Sequence, residues 1–192
     1  MNLIFATHNQ NKVNELKKLV PKSFSIFSLK DIGCFNEIEE TGSTLEENAQ
    51  IKADYIRYKF GLDCFSDDSG LEIDALNGYP GVYSSRYAGP KKNNELNIKK
   101  IWVELKGVKY PSANFRSVFH LHLSGKTYSF EGRVHGNIIF EKRGNSGFGY
   151  DPIFIPKGFN KTFGELGYEI KNKISHRAKA SKKLIALLKN VE

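Results

Sequence analysis

The sequence predicts an α/β protein with a mixed β-sheet, because the period of its apolar residues changes along the 192-residue chain. In the first half, short apolar runs suited to buried strands alternate with apolar residues at helical spacing. In the second half, apolar residues from Phe115 to Leu123 recur with a period of two, and a returning segment follows. Alternating strands and helices followed by a hairpin are typical of the α/β class.

The first half begins with a pattern typical of a strand, followed by a pattern typical of a helix. Leu3 to Ala6 is a short apolar run typical of a buried strand, and apolar residues between Val13 and Val20 then recur at helical spacing. Thr44 and Glu47 form a Thr-x-x-Glu capping box ahead of another apolar stripe. These patterns predict a strand, a loop, a short helix and then a longer capped helix.

A strand that closes on two aspartates is expected after the capped helix. Gly61 is expected to end the helix, and the next strand is expected to end at Asp67 and Asp68. A passage rich in Gly and Pro, residues 70–90, then leads to a predicted helix over residues 94–105.

The second half contains the hairpin and a terminal helix. Gly125-Lys126 is expected to form the tight turn, with a returning strand over residues 127–134. A glycine loop, a strand over residues 152–155 and a helix over residues 175–188 complete the prediction.

Composition indicates one globular domain over residues 1–192, with no visible linker or internal repeat. Apolar residues make up 40% of the chain and charged residues 26%, which excludes a disordered polypeptide. Cys34 and Cys64 lack CxxC spacing, so reduced thiols are expected. The sequence has neither a signal h-region nor a membrane-spanning run, so we expect a soluble cytoplasmic protein.

The formal net charge of +8 attracts polyanions such as nucleotides or nucleic acid. The basic pairs Lys91-Lys92 and Lys182-Lys183 lie far apart, without the interleaved aromatic residues of an RNA-binding segment. This distribution favours a solvated surface over a nucleic-acid interface. A basic, non-enzymatic nucleic-acid-binding module remains the alternative.

The loop between the first strand and the first helix is a candidate phosphate-binding segment. Backbone N–H groups at a helix start, together with the helix dipole, favour phosphate oxygens. The loop lacks the GxxxxGK[ST] pattern, and an ordinary polar loop is the alternative. Its residues are Thr7, His8, Asn9, Gln10, Asn11 and Lys12.

Asp67 and Asp68 are candidate metal-binding residues. Neighbouring strand residues point to opposite faces, so both face one ion only if the strand ends there. Because Ser69-Gly70 suggests a turn, we assign Asp68 to direct ligation and Asp67 to support. Mg²⁺ requires oxygen ligands, which makes Glu39 in an acidic loop a candidate partner. A solvated acidic loop and a simple Asx turn are the alternatives.

The segment 144–152 places glycines around two aromatic residues and an aspartate. Phe148 or Tyr150 could stack on a nucleobase. Turn glycines with aromatic residues packed into the core are the alternative interpretation.

Ser175 is a natural N-cap residue and places His176 and Arg177 in the first turn of the last helix. A cation there opposes the helix dipole by about 0.3–1 kcal/mol. Arg177 is therefore expected either to meet a ligand acceptor or carboxylate or to be exposed to solvent.

His120 and His122 share one face of a strand, which suggests a transition-metal site. Zinc requires three or four ligands, and no third ligand lies near them in sequence. We expect both to be surface residues.

Five motifs in the same order resemble those of the inosine triphosphate pyrophosphatase family, from about Leu3 to Leu188. They are FATHNQNKVNEL, EETGSTLEENAQIKA, DDSGLEIDALNGYPGVYSSRYAG, GFGYDPIF and ISHRAKA. The resemblance implies a strongly twisted mixed sheet with flanking helices, two lobes around a substrate cleft, and a homodimer. It also implies Mg²⁺-dependent hydrolysis of ITP, dITP or XTP to the nucleoside monophosphate and pyrophosphate.

The resemblance also implies roles for individual residues. Thr7 to Lys12 would hold the triphosphate, Glu39 and Asp68 would bind Mg²⁺, and Asp68 would also act as general base. The implied substrate contacts are Ser69, Phe148, Gly149, Tyr150, Asp151, Lys171, His176 and Arg177. His8 stands where the family commonly has glycine, which affects how closely the loop backbone approaches phosphate.

Selectivity would come from His176 and Arg177 donating to the 6-keto oxygen of hypoxanthine or xanthine. Adenine presents an amino group there, and each donor left unpaired costs about 1–3 kcal/mol. A pyrophosphatase for pyrimidine or modified nucleotides is the alternative within the same enzyme class. A small nucleoside triphosphate is the expected partner, with no stable nucleic-acid or membrane association.

Overall fold

The computed structural model describes residues 1–191 and confirms the α/β class with a mixed sheet. The strands are β1 (Asn2–Phe5), β2 (Ser25–Ser28), β3 (Cys64–Ile73), β4 (Ser112–Leu123), β5 (Lys126–Ile138) and β6 (Phe154–Pro156). They form one sheet in the order β2-β1-β3-β4-β5-β6. β1 pairs in parallel with β2 and β3, whereas β5 and β6 are antiparallel.

Five α-helices accompany this sheet in residues 1–191. They are α1 (Gln10–Lys17), α2 (Leu45–Phe60), α3 (Asn94–Glu104), α4 (Phe163–Ile174) and α5 (His176–Asn190). The predictions of α1, α2, α3 and α5 are confirmed. β2 and α4 were not predicted. In α4 the glycine at position 167 has non-helical backbone angles and interrupts the helical pattern, although Thr162 and Glu165 form a capping box at its start.

Two predicted boundaries in the second half of the chain are wrong. The hairpin turn consists of Ser124 and Gly125, both with positive φ, as a two-residue hairpin loop requires. The predicted strand over residues 152–155 begins later, because Asp151–Ile153 forms a 3₁₀ turn. The helical turn containing Pro152 leaves only Phe154–Pro156 to pair with β5.

The prediction that a turn at Ser69-Gly70 ends the third strand is wrong. β3 passes through Asp67 and Asp68 and ends at Ile73. Gly70 is required for close packing, since a Cβ there would overlap the carbonyl oxygen of Gly81. A glycine that permits close backbone approach gives the same sequence signal as a turn glycine.

Replacing Gly70 with alanine is expected to destabilise the protein by about 1–3 kcal/mol, because the new methyl group must displace backbone atoms. Urea unfolding monitored by circular dichroism measures this change. Ser129→Ala on β5 is a control at an exposed position and should change stability by less than about 0.5 kcal/mol. Equal stabilities of the Gly70 variant and the native protein would contradict the packing argument.

The predicted capping box of α2 is confirmed. The Glu47 backbone N–H donates to Thr44 Oγ1 at 3.1 Å, and the Thr44 N–H donates to Glu47 Oε2 at 3.2 Å. Gly61 ends the helix with φ of 68°, a left-handed conformation that glycine adopts without strain. Hydrogen bonds from the Ser43 side chain and backbone, and then from Thr44, lower the pKa of Glu47.

The cap predicts a pH dependence of stability. The stabilisation from charged Glu47 should be fully present above the ordinary glutamate pKa of 4.5 and be lost as pH falls through the lowered folded-state pKa. Thermal unfolding of the native protein and Glu47→Gln between pH 7 and 3 should therefore give melting temperatures that converge at low pH. A constant difference across this range would mean that the charge contributes nothing.

The chain forms two compact units, each built from several segments. Within the described residues, the first contains residues 1–68, 118–131 and 180–191, and the second contains residues 69–117 and 132–179. Each unit has its own buried apolar cluster, centred on stacked Phe5 and Phe65 in the first and on Phe115 and Phe154 in the second. Within residues 1–191, every helix is too short or too polar to cross a bilayer.

Candidate active site

In the first unit, Lys12 and Asp67 form a close ion pair. Lys12 Nζ lies 2.8 and 2.9 Å from the two carboxylate oxygens of Asp67, whose side chain is almost completely buried. β3 supplies Asp67 and the first turn of α1 supplies Lys12. The ion pair fixes the ammonium group at the end of the candidate phosphate loop.

A second ammonium group, that of Lys52 on α2, contacts several neighbouring acidic residues. Lys52 Nζ lies 2.5 Å from Glu40 Oε1 and 3.9 Å from Asp68 Oδ1, and it donates to the Asp67 carbonyl oxygen at 2.7 Å. Burial alone would lower the pKa of Lys52, but the charges of Asp68, Asp67 and Glu40 outweigh it and raise the pKa. Lys52 therefore remains charged and neutralises this acidic cluster.

The two predicted metal carboxylates have different surroundings. Asp68 is mostly buried beside Lys52, whereas Glu39 is exposed to solvent. Glu40, the neighbour of Glu39, is the loop residue that contacts Lys52. Asp68 and Glu39 offer carboxylate oxygens, the donor type that suits Mg²⁺.

Backbone N–H groups of the candidate phosphate loop already donate hydrogen bonds within the loop. Asn9 caps α1, and its side-chain oxygen accepts from the N–H groups of Asn11 at 3.0 Å and Lys12 at 3.3 Å. These two donors are therefore engaged, as is usual beneath an Asn cap. Thr7 Oγ1 accepts from the Asn9 N–H at 3.1 Å, and His8 Nε2 lies 3.1 Å from the Asn36 carbonyl oxygen.

In the second unit, a buried carboxylate organises the glycine loop. Asp151 Oδ2 accepts a hydrogen bond from the Phe148 N–H at 2.8 Å and one from Lys171 Nζ on α4. Gly147 has a positive φ, and a side chain there would collide with Asp151. Burial raises the pKa of Asp151, and the charge of Lys171 opposes that rise.

The two aromatic residues proposed for base stacking differ in their exposure to solvent. Phe148 is 65% exposed, and Lys171 Nζ lies 4.5 Å from its ring centroid. Tyr150 is only 4% exposed and donates its hydroxyl to the Ser84 carbonyl oxygen at 2.8 Å. Phe148 is therefore the residue suited to stacking, whereas Tyr150 packs in the core next to Gly149.

The start of α5 brings further donors into the second unit. Ser175 caps the helix as predicted, its Oγ accepting from the Ala178 N–H at 3.2 Å. His176 is buried and stacks on Phe115 with ring centroids 4.9 Å apart. The positive charge of Arg177 opposes the rise in the pKa of Asp151, after the larger effects of Lys171 and of the Phe148 N–H. Ser69 Oγ donates to Ser117 Oγ at 2.9 Å.

Lys52 and Glu40 were absent from the sequence prediction. Lys52 stands three residues after the fully buried Ala49 on α2, so it borders the apolar stripe of that helix. A lysine in that position usually needs an acidic partner or a path to solvent. This spacing was the signal available in the sequence.

These features define an α/β protein with a charged cluster suited to phosphate and a hard cation. A model of the Ham1 family matches residues 3–187. The chain belongs to the Ham1 family, and the predicted resemblance to nucleoside triphosphate pyrophosphatases is confirmed.

Curated relatives and solved structures agree on this family. A dITP/XTP pyrophosphatase of Flavobacterium johnsoniae is 53% identical, with 98% of each chain covered. One of Bacillus subtilis is 50% identical, with 96% of each chain covered. The Ham1 protein of Staphylococcus aureus has a TM-score of 0.95 at 38% identity, with 100% of each chain covered.

Proposed function

We propose that the protein hydrolyses noncanonical purine nucleoside triphosphates, namely ITP, dITP and XTP, to the nucleoside monophosphate and pyrophosphate. The chain is a nucleoside triphosphate pyrophosphohydrolase of nucleotide metabolism. The observation that carries the substrate proposal is its match over nearly the whole chain to relatives named dITP/XTP pyrophosphatase. The reaction would remove these nucleotides from the cytoplasmic pool, and the enzyme would act as a homodimer.

The charged residues of the first unit would act on the phosphates. Lys12, held by Asp67, would neutralise a triphosphate oxygen, with Thr7 and the rest of the loop to Lys12 positioning the chain of phosphates. Asp68 would orient a water molecule and take its proton as the water attacks the α-phosphorus. The charged Lys52 ammonium, 3.9 Å from Asp68 Oδ1, would offset part of the negative charge of this cluster.

The donor set also fits the proposed cation. Asp68 and Glu39 would hold Mg²⁺, which when bound stabilises negative charge on the phosphate oxygens. Asp67 would keep a supporting role, because both of its carboxylate oxygens lie within 2.9 Å of Lys12 Nζ.

The second unit would recognise the base. The exposed ring of Phe148 would stack on the purine, and Lys171 and Asp151 keep the surrounding loop in place. His176 and Arg177 would donate to the 6-keto oxygen, with Ser69, Gly149 and Tyr150 shaping the remaining contacts. Adenine would leave the donors unpaired, a loss of about 1–3 kcal/mol for each buried donor.

A nucleotide panel tests the proposal. ITP, dITP, XTP, GTP, ATP, dUTP and CTP are compared with the purified full-length chain, with and without Mg²⁺, and both pyrophosphate and orthophosphate are quantified. We expect pyrophosphate only, dependence on Mg²⁺, and a kcat/KM for ITP at least about tenfold above that for ATP. Equal use of ITP and ATP would refute the selectivity, and a preference for dUTP or CTP would favour a pyrimidine enzyme. Release of orthophosphate would refute the cleavage between the α- and β-phosphates.

A further inference from the structure

Asp54, His120 and His122 form a cluster of metal-ligating side chains in the first unit. α2 supplies Asp54 and β4 supplies the two histidines. One ligand atom from each residue lies within 4.8 Å of those of the other two, and His122 Nε2 is 2.6 Å from Asp54 Oδ1. The sequence prediction that both histidines are surface residues is wrong for His120, which is 7% exposed. Asp54 offers a third potential ligand atom, and its distance in sequence from the histidines hid this possibility.

The surroundings of the histidines favour metal binding over simple packing. His120 Nε2 is buried and has no hydrogen-bond partner within residues 1–191, an arrangement that costs free energy unless another group meets it. A metal ion at this cluster would give the buried ring nitrogen of His120 a partner.

The Thr127 hydroxyl lies within hydrogen-bonding distance of the His122 ring. Thr127 Oγ1 lies 3.2 Å from His122 Nδ1, which leaves His122 Nε2 directed toward Asp54. Metal-binding histidines commonly use the second ring nitrogen in this way, and the contact fixes their tautomer and orientation. The side chains of His122 and Asp54 are 15% and 24% exposed, so an ion can reach the cluster from solvent.

We propose that Asp54, His120 and His122 bind a divalent transition-metal ion of the Zn²⁺ type, separate from the Mg²⁺ of the proposed reaction. Two imidazole nitrogens and one carboxylate oxygen suit Zn²⁺, whereas Mg²⁺ prefers oxygen ligands alone. Three protein ligands leave a coordination position for water. The ion would tie α2 to β4 and thereby hold the helix that carries Lys52.

Metal titration of the full-length chain tests this proposal. Protein stripped with EDTA and desalted is titrated with Zn²⁺ by calorimetry, and with Co²⁺ by visible absorption, in the presence of excess Mg²⁺. We expect the protein to bind one equivalent of Zn²⁺ tightly. Bound Co²⁺ should give the visible absorption typical of a low coordination number, and this absorption should disappear when Zn²⁺ displaces Co²⁺. The melting temperature should rise with Zn²⁺ concentration. Absence of saturable Zn²⁺ binding would overturn the proposal.

Variants locate the ion. His122→Gln and Asp54→Asn should each weaken Zn²⁺ binding at least about tenfold, and Thr127→Val by about 10-fold to 100-fold. His135→Gln, at an exposed histidine of the second unit, is the matched control and should bind as the native protein does. Asp68→Asn should also retain the Zn²⁺ equivalent, because that carboxylate belongs to the other proposed site. Loss of Zn²⁺ binding in Asp68→Asn, or its retention in both His122→Gln and Asp54→Asn, would place the ion elsewhere.

Discussion

Replacing Asp68 with asparagine is expected to reduce kcat for pyrophosphate release from ITP by about 10²- to 10⁴-fold, the usual contribution of a general base. The amide cannot accept the proton of the attacking water, and it is a weaker ligand for Mg²⁺. The substitution keeps the size of the side chain beside Lys52, so the fold should be retained. Initial rates at saturating ITP and Mg²⁺, together with circular dichroism, measure the effect.

Glu37→Gln is a control for the loss of one negative charge near the site. Glu37→Gln removes an exposed carboxylate from the loop that contains Glu39 and should leave kcat within about twofold of the native value. If additional Mg²⁺ restores Asp68→Asn fully, ligation is the whole role of Asp68. Native kcat in Asp68→Asn at the original Mg²⁺ concentration would refute both assigned roles.

Replacing Lys52 with methionine is expected to lower the free energy of unfolding by about 3–5 kcal/mol, the typical cost of removing one partner from a buried ion pair. The lysine side chain is 12% exposed and contacts Glu40 and Asp68, so the variant removes the ammonium group that both carboxylates contact. Urea unfolding at pH 7 measures the change through the midpoint, provided that the m-value stays constant.

Lys59→Met is the matched control on the same helix. Lys59 is exposed and donates to the Tyr55 hydroxyl at 2.7 Å, so its replacement should lower the free energy of unfolding by about 1 kcal/mol at most. Lowering the pH should narrow the gap between Lys52→Met and the native protein, since protonated carboxylates no longer need the ammonium group. A stability of Lys52→Met equal to that of Lys59→Met would show that the acidic cluster does not depend on Lys52.

The local elements of the fold could be predicted because their determinants lie close together in sequence. The capping box of Thr44 and Glu47, the αL glycine at position 61 and the Ser175 cap are all satisfied within a few residues. The end of the Gly- and Pro-rich passage likewise predicted α3, and the period of two in apolar residues predicted the β4–β5 hairpin. Errors occurred at Gly70 and at α4, where a glycine has a packing or kinking role that its sequence context does not reveal.

The partners of Asp67 and Asp68 could not be predicted from the sequence. Asp67 and Asp68 looked like a pair that ends a strand, but both lie within β3 and have different partners. Asp67 pairs with Lys12, whereas Asp68 lies near Lys52. Alternation along a strand predicts that neighbours differ, but only the packing of α1 and α2 decides which lysine each carboxylate meets.

The sequence by itself determined the α/β class, the helix caps and the family, because local hydrogen bonds, hydrophobic period and ordered motifs are all written along the chain. Tertiary structure alone decided which charges meet. Lys52 joins Glu40 and Asp68, and Asp54 joins His120 and His122, only after α2 packs in the first unit. The physical reason is that side chains far apart in sequence come within hydrogen-bonding distance only when burial of the apolar stripe fixes the helix that carries them.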